Sequence, residues 1–327
     1  MQPFSYSKPT SQPDAIASLQ ANANAALIAG GTDLLDLMKL GVTAPDQLID
    51  INGLALATIN VADDVTTIGA LARMSDVAND GKIKKTFPVL SQALLASASA
   101  QLRNMATIGG NLMQRTRCPY FRDTAFTCNK RNPGSGCAAI EGFDRGSAIF
   151  GVSSKCIAVH PSDLAVALVA LGAEIAIAGG EAERRVSVEE FYLLPGDTPE
   201  RETVLQPGEL IMAVIVPNSL EARRSVYLKV RDRASFEFAL VSVAVAVDLK
   251  GATIRSARIA MGGVAPRPWR VPAAEAAIAG KPATMSNCSA AAAAGMAAAT
   301  PARLNRFKVT MAQNAIARAL ATTTGVQ

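Results

Sequence analysis

The chain has 327 residues, half of them hydrophobic and 18% charged, with a formal net charge of +5. That composition supports sizeable cores, excludes wholesale disorder and leaves room for about two or three domains of roughly 100–200 residues each. No apolar run reaches the roughly 18 residues of a membrane helix, and no basic stripe marks a nucleic-acid module, so neither a membrane nor a nucleic-acid partner is expected. The start, MQPFSYSKPTSQPDAIASL, carries prolines and polar residues where a signal peptide has an apolar stretch, so no export signal of the chain's own is expected.

In chain order the pattern predicts a strand over 25–29, a helix over 34–40 and a strand over 47–51, then a strand over 65–71 and a helix over 89–98. Residues 105–112 read as a turn-rich passage. A helix opens at His160-Pro161-Ser162-Asp163 and runs to 170, with Pro161 and Asp163 suited to its start. Strands follow over 174–178, 184–188 and 210–216. A boundary falls at 217–223, where turn residues follow a strand. Beyond it, 226–230, 238–248 and 253–261 predict a three-stranded antiparallel sheet. Ala-rich helices are predicted over 273–279 and 302–321, and the Ala-rich run 290–299 reads as a packed helix. The class is α+β.

Two glycine turns stand out. Ile28-Ala29-Gly30-Gly31-Thr32-Asp33-Leu34 lies between a strand and a helix, and Thr107-Ile108-Gly109-Gly110-Asn111-Leu112 repeats the chemistry. Adjacent glycines let the backbone approach an anion, and successive N–H groups at a helix start form a concave nest. Neither turn has the GxGxxG spacing or the P-loop lysine. Each alone is commonly only a turn; together they suit a diphosphate held between two loops.

Four of the five cysteines fall within 39 positions, as C-x9-C-x8-C-x18-C: Cys118, Cys128, Cys137 and Cys156. The stretch is rich in Gly, Pro, Asn and Arg and has little periodicity. Tetrahedral zinc, an iron–sulfur cluster and two disulfides compete for these thiols. Zinc favours closer C-x2–4-C pairs, disulfides need an oxidising compartment, and ferredoxin spacing is absent. Only an anionic thiolate centre also gives a use to Arg115, Arg117, Arg122, Lys130 and Arg131. Cys288 reads as a buried, inert thiol. His160, the only histidine, is either a proton donor or a packed helix-start residue; Trp269 and Tyr192 either shield a ligand or sit in a core.

The motifs AGGTDLL (29–35), TIGGNL (107–112), PSDL (161–164), LQPGELI (205–211), YLKVRDRASFEFALVSVAV (227–245) and GGVAPRPWR (262–270) span nearly the whole chain. In these the chain resembles the FAD-binding subunits of molybdenum hydroxylases, the xanthine dehydrogenase and carbon monoxide dehydrogenase family. The likeness extends to the flavin subunits of bacterial periplasmic aldehyde oxidoreductases, which share QRTRCPYF, CNKR, PGSGC, EGF and the HPSD segment. The resemblance implies a vanillyl-alcohol-oxidase-type FAD-binding fold of two α/β subdomains (about 1–55 and 56–219, with a cysteine-rich insertion at 113–160), followed by a C-terminal α+β domain at 220–327. It implies FAD contacts at Ile28, Ala29, Gly30, Gly31, Thr32, Asp33, Leu34, Ala98, Thr107, Gly109, Gly110, Asn111, Asp163, Leu210 and Lys229. A cation at Lys229 would favour negative charge on a flavin beside it. Without the resemblance, Lys229 would read as a surface lysine at a strand end.

Most family members join the second glycine turn to the PSDL helix by a short loop. Here 51 residues separate Asn111 from Asp163 and contain all four clustered cysteines. A minority, including the 4-hydroxybenzoyl-CoA reductase flavin subunit, carry a [4Fe–4S] cluster on this insertion, which implies Cys118, Cys128, Cys137 and Cys156 as ligands. The implied function is electron transfer in a molybdenum-dependent aldehyde oxidoreductase, a heterotrimer with a large molybdopterin-binding subunit and a small [2Fe–2S] subunit. The alternatives are a xanthine dehydrogenase-like or hydroxybenzoyl-CoA reductase-like flavin subunit. No His, Tyr or acidic pair stands out as a base, so no catalytic residue is assigned. The implied source is bacterial, and the compartment is the cytoplasm, or the periplasm by co-export with a partner that carries a twin-arginine signal.

Overall fold

A computed structural model describes residues 1–179 and 182–326; residues 180, 181 and 327 of the expected domains lie outside it. The first sheet is parallel, in the order β1-β3-β2, from β1 (Ser5–Ser7), β2 (Ala25–Ile28) and β3 (Gln47–Asp50). Parallel neighbours require crossovers, which helices Gln12–Ala21 and Leu34–Lys39 supply. The first glycine turn is the short loop joining β2 to the second of these helices.

The second sheet is antiparallel, in the order β4-β5-β8-β6-β7: β4 (Ile59–Val61), β5 (Val65–Gly69), β6 (Glu174–Ala178), β7 (Arg184–Ser187) and β8 (Leu210–Pro217). Between β5 and β6 the chain forms a set of short helices, the cysteine insertion, and helix Asp163–Leu171. Every residue of that helix is buried, because Pro88–Ala96 packs on one side and the C-terminal sheet on another. Its sequence DLAVALVAL has no polar face for this reason.

The C-terminal sheet has four strands, not the expected three, in the order β12-β11-β10-β9: β9 (Ser225–Val230), β10 (Val241–Lys250), β11 (Thr253–Gly262) and the two-residue β12 (Trp269–Arg270). Two residues are too few to leave a periodic signal. The β10–β11 hairpin turns at Gly251, where φ is +60°, a conformation that favours glycine. Both faces of this sheet are covered. Ala244 and Ala260 face helix Asp163–Leu171, whereas Val243, Val245, Ile259 and Met261 face the helices Pro272–Ile278, Met285–Met296 and Phe307–Thr324. Small residues on one face allow close approach and bulky ones on the other fill a thicker layer. Cys288 is buried in that second layer.

Two other expectations change. Residues 105–112 are not only turns: Ile108–Leu112 is a short helix capped by Thr107. The helix expected over 302–321 starts at Phe307, and the segment before it is a loop that holds the insertion. Asp144, buried there, accepts from the backbone N–H groups of Arg303 (3.2 Å) and Leu304 (2.8 Å). Asn305 donates to Ser147 O (3.0 Å) and Ala148 O (3.2 Å), and the buried Lys308 Nζ donates to Gly146 O, Ser147 O and Gly263 O at 2.8–3.0 Å. Among the described residues no helix is long and apolar enough to cross a membrane.

Candidate functional site

The first glycine turn is built for close approach. A Cβ on Gly30 would lie 2.2 Å from the Met105 carbonyl oxygen, and Gly31 has φ +69°. None of the five backbone N–H groups from Gly30 to Leu34 finds an acceptor among the described residues. Five successive free donors make an anion nest. The second turn differs from the sequence expectation. Ile108 N–H bonds Ala72 O (3.0 Å), Gly109 N–H bonds Ala70 O (2.8 Å), Asn111 N–H bonds Thr107 O (2.8 Å), and Thr107 Oγ1 accepts from Gly110 N–H (3.1 Å). Its donors are consumed internally, so it serves as a wall and not as a second nest.

Two cavities of about 370 and 340 Å³ meet at Thr32, Asp33 and Gly110. The first is lined by Ala29 to Leu34, Thr107, Gly109 and Leu210, over an apolar floor that includes Leu27 and Leu71. The second is lined by Ala98, Asn111, Asp163 and Lys229. Every expected FAD-contact residue therefore lines the joined cleft except Ile28, which ends β2 beneath it. The only two non-glycine residues with positive φ among the described residues, Ala98 (+48°) and Phe236 (+51°), both line the second cavity. Backbone strain of this kind concentrates where a ligand is held.

Lys229 is not a free cation. Its Nζ lies 2.7 Å from Asp163 Oδ2, with both side chains almost fully buried. The same carboxylate accepts from Ser97 Oγ (2.9 Å) and, on Oδ1, from Tyr227 OH (2.5 Å). Burial, reinforced by the Asp163 charge, pushes the Tyr227 hydroxyl well above its ordinary pKa, so it remains a donor. Asn111 accepts from Ser162 Oγ (2.6 Å), and Ser162 caps helix Asp163–Leu171. This ties the second turn to the start of that helix.

Sequence reasoning missed the arginines as part of this cleft. Arg115 N–H donates to Asp33 Oδ2 (2.9 Å), Arg117 pairs with Asp33 Oδ1, and Arg122 pairs with Asp36. Arg117 and Arg122 line the second cavity; Arg117 Nε and Arg122 Nη1 are buried with no hydrogen-bond partner. Phe236 and Phe238 stand at the same cavity, Phe238 beneath the Arg117 guanidinium. The signal available in the sequence was the bunching of basic residues at 115–131.

Cys118, Cys128, Cys137 and Cys156 line one small cavity beside the cleft, and none forms a disulfide. Cys128 and Cys137 sit opposite each other in a single antiparallel bridge. Among the described residues no group of three His, Cys, Asp or Glu side chains could hold a single metal ion. Burial pushes the Cys118 thiol up to about 11, partly offset by the nearby backbone of Phe121 and Tyr120. Burial also raises Cys156, opposed by the Lys130 ammonium. Lys130 is held by Glu202 at 3.0 Å; burial alone would raise that carboxyl, but Arg115 and Lys130 keep it below its ordinary value. His160 is half-buried against Tyr192 with its Nε2 atom enclosed, and desolvation lowers it to about 3, so it stays neutral. Tyr192 OH donates to Leu112 O (2.9 Å) and Trp269 stacks on Phe150; both aromatics are structural.

Residues 2–219 match the family described as FAD binding domain in molybdopterin dehydrogenase, and residues 226–323 match the CO dehydrogenase flavoprotein C-terminal domain. The chain is 48% identical to the aldehyde oxidoreductase FAD-binding subunit PaoB of Escherichia coli (strain K12), over 98% of both chains. It is 31% identical to the glyceraldehyde dehydrogenase medium chain of Sulfolobus acidocaldarius, over 85% of this chain and 82% of that one. Its structure resembles that of a carbon monoxide dehydrogenase chain from Hydrogenophaga pseudoflava, with a TM-score of 0.77, 28% identity and 99% and 98% of the two chains covered. The cleft between the glycine turns and the span of these matches lead to one conclusion: this chain belongs to the family of FAD-binding subunits of the molybdenum hydroxylases.

Proposed function

We propose that the chain binds FAD across the two joined cavities and a [4Fe–4S] cluster at Cys118, Cys128, Cys137 and Cys156, and works as the electron-transfer subunit of an aldehyde oxidoreductase. The observation that carries the FAD reading is the row of five free N–H groups at Gly30–Leu34, which suits a diphosphate. Ala98, Asn111, Asp163 and Lys229 would hold the ring end, and Leu210 the apolar wall. The fit extends to the cysteines: all four line one cavity, and the Lys130 side chain lines it with them. FAD would supply the two-electron to one-electron exchange. Within this division of labour the chain's residues bind and orient: Asp163 fixes Lys229 and Tyr227, and Arg117 and Arg122 hold the first turn.

The aldehyde reading rests on the 48% identity to the PaoB subunit over the whole chain. It implies a large molybdopterin-binding subunit and a small [2Fe–2S] subunit as partners, with substrate oxidised on the large one. The chain would divide at about residue 220 into an FAD-binding part of the vanillyl-alcohol-oxidase type, with subdomains 1–55 and 56–219, and a C-terminal domain. Purification of the chain tests the reading. Flavin absorption with about four irons per chain is expected of one [4Fe–4S] centre. Zinc without iron would remove the cluster, and aldehyde turnover by the isolated chain with an artificial acceptor would remove the need for partners.

A further inference from the structure

We propose that Arg117 and Arg122 are positioning residues for FAD, holding the first glycine turn from the cysteine insertion, so that loading of the cysteine centre and binding of FAD are one coupled equilibrium. The proposal rests on the FAD and cluster readings above. The segment through residues 115–122 is a partition. Arg117 and Arg122 line the cleft, while Cys118 and Phe121, between them in sequence, line the cysteine cavity. Across the partition Leu37, from the helix that begins at the glycine turn, packs with Phe121, Cys118 and Cys128 in one apolar cluster.

Asp33 is the pivot. A residue at this position before a helix ordinarily turns its carboxylate onto the helix's own first N–H groups. Here Asp33 makes no such cap. Its oxygens are taken instead by Arg115 N–H and the Arg117 guanidinium, with Arg122 Nη1 at 3.7 Å. The N–H groups from Gly30 to Leu34 stay free, and the turn that carries them is anchored to the insertion through this carboxylate. When the insertion lets go, the turn loses this anchor and the Asp33 carboxylate loses the Arg117 charge that neutralises it. Asp33 lines both cavities, so its unpaired charge would then oppose the like charge of the diphosphate. An ordered insertion thus favours FAD, and by linkage bound FAD favours the ordered insertion to the same degree.

The test uses the assembled complex, with FAD dissociation read from flavin fluorescence on dilution and metal from iron content. Cys137→Ser removes a thiol that lines neither FAD cavity. Cys137→Ser and the pair Arg117→Gln/Arg122→Gln are each expected to weaken FAD binding about tenfold or more. Combined, their effects fall short of adding, because the second change finds the link already cut. Arg117→Lys/Arg122→Lys recovers most of the affinity. Arg145→Gln, which breaks an insertion ion pair with Asp232 remote from the turn, leaves FAD affinity unchanged. Should the glutamine pair not assemble, Asp36→Asn, which removes only the partner of Arg122, takes its place in the comparison. FAD affinity of Cys137→Ser within about twofold of wild type, or additive effects in the cycle, would overturn the coupling. A wild-type complex lacking flavin or iron in this chain would instead overturn the reading on which it rests.

Discussion

At the scale of single residues, the cleft is set by a few atoms with no room for change. Gly30 touches the Met105 carbonyl so closely that Gly30→Ala must separate the two glycine turns. Overpacking of this kind costs about 1–3 kcal/mol, and the variant is expected to lose flavin stoichiometry along with thermal stability, both measurable on one preparation. Lys229→Met would strand the Asp163 carboxylate in the interior, at a cost of about 3–5 kcal/mol. The double change Asp163→Asn/Lys229→Met should recover much of that loss in urea unfolding, and equal destabilisation of single and double variants would contradict the pairing. The glycine turns were legible as candidate cradles from their adjacent glycines, whereas Asp163 read from the residues alone only as a helix start and was brought to the site by the resemblance. The state of Lys229 was not, since its neutralising partner lies 66 positions away in sequence and only the fold brings them together.

At the scale of elements, the cysteine insertion is not a free loop but a strap with two fastenings. One end is tied to the first glycine turn through Asp33, and the other to the C-terminal domain through Asp144, Asn305 and Lys308. Lys308 has no carboxylate at its three carbonyl partners, and burial, with Arg145 nearby, lowers it from 10.5 to about 7. The unfolded chain therefore binds a proton at Lys308 that the folded chain gives up between about pH 7 and 10.5. Stability from this group is lost as pH falls to 7 and gained as pH rises through that window. The thermal midpoint of Lys308→Met, measured relative to wild type at pH 7 and pH 9, should fall behind at the higher pH; a constant difference would remove Lys308 from the account. The four cysteines announced an ordered insertion, but nothing in the sequence announced its fastenings. Asp144, Asn305 and Lys308 are ordinary polar residues there. Short elements were equally illegible: β1 and β4 have three residues each, too few for an alternating pattern to register.

For the whole molecule, the long periodic elements of both family regions were readable, and their relation was not. Ala244 and Ala260 of the C-terminal sheet belong to the same core as Leu168 and Leu90 of the preceding region. A shared core of this extent predicts a single cooperative transition in calorimetry, with agreement between calorimetric and van't Hoff enthalpies. Two resolved transitions would mean that the regions melt apart. Ala260→Leu is the sharper probe: it thickens the seam, costs about 1–3 kcal/mol, and should lower the one transition without splitting it.

The strap also sets an order in time. Arg115, Arg117 and the cysteines leave the ribosome well before Arg303, Leu304, Asn305 and Lys308, which hold the second fastening. A nascent chain that stops short of those residues has made every thiol yet cannot seat the loop that carries them. The cysteine pocket is therefore expected to take its final shape late in biosynthesis, once the C-terminal residues that hold its loop have been made.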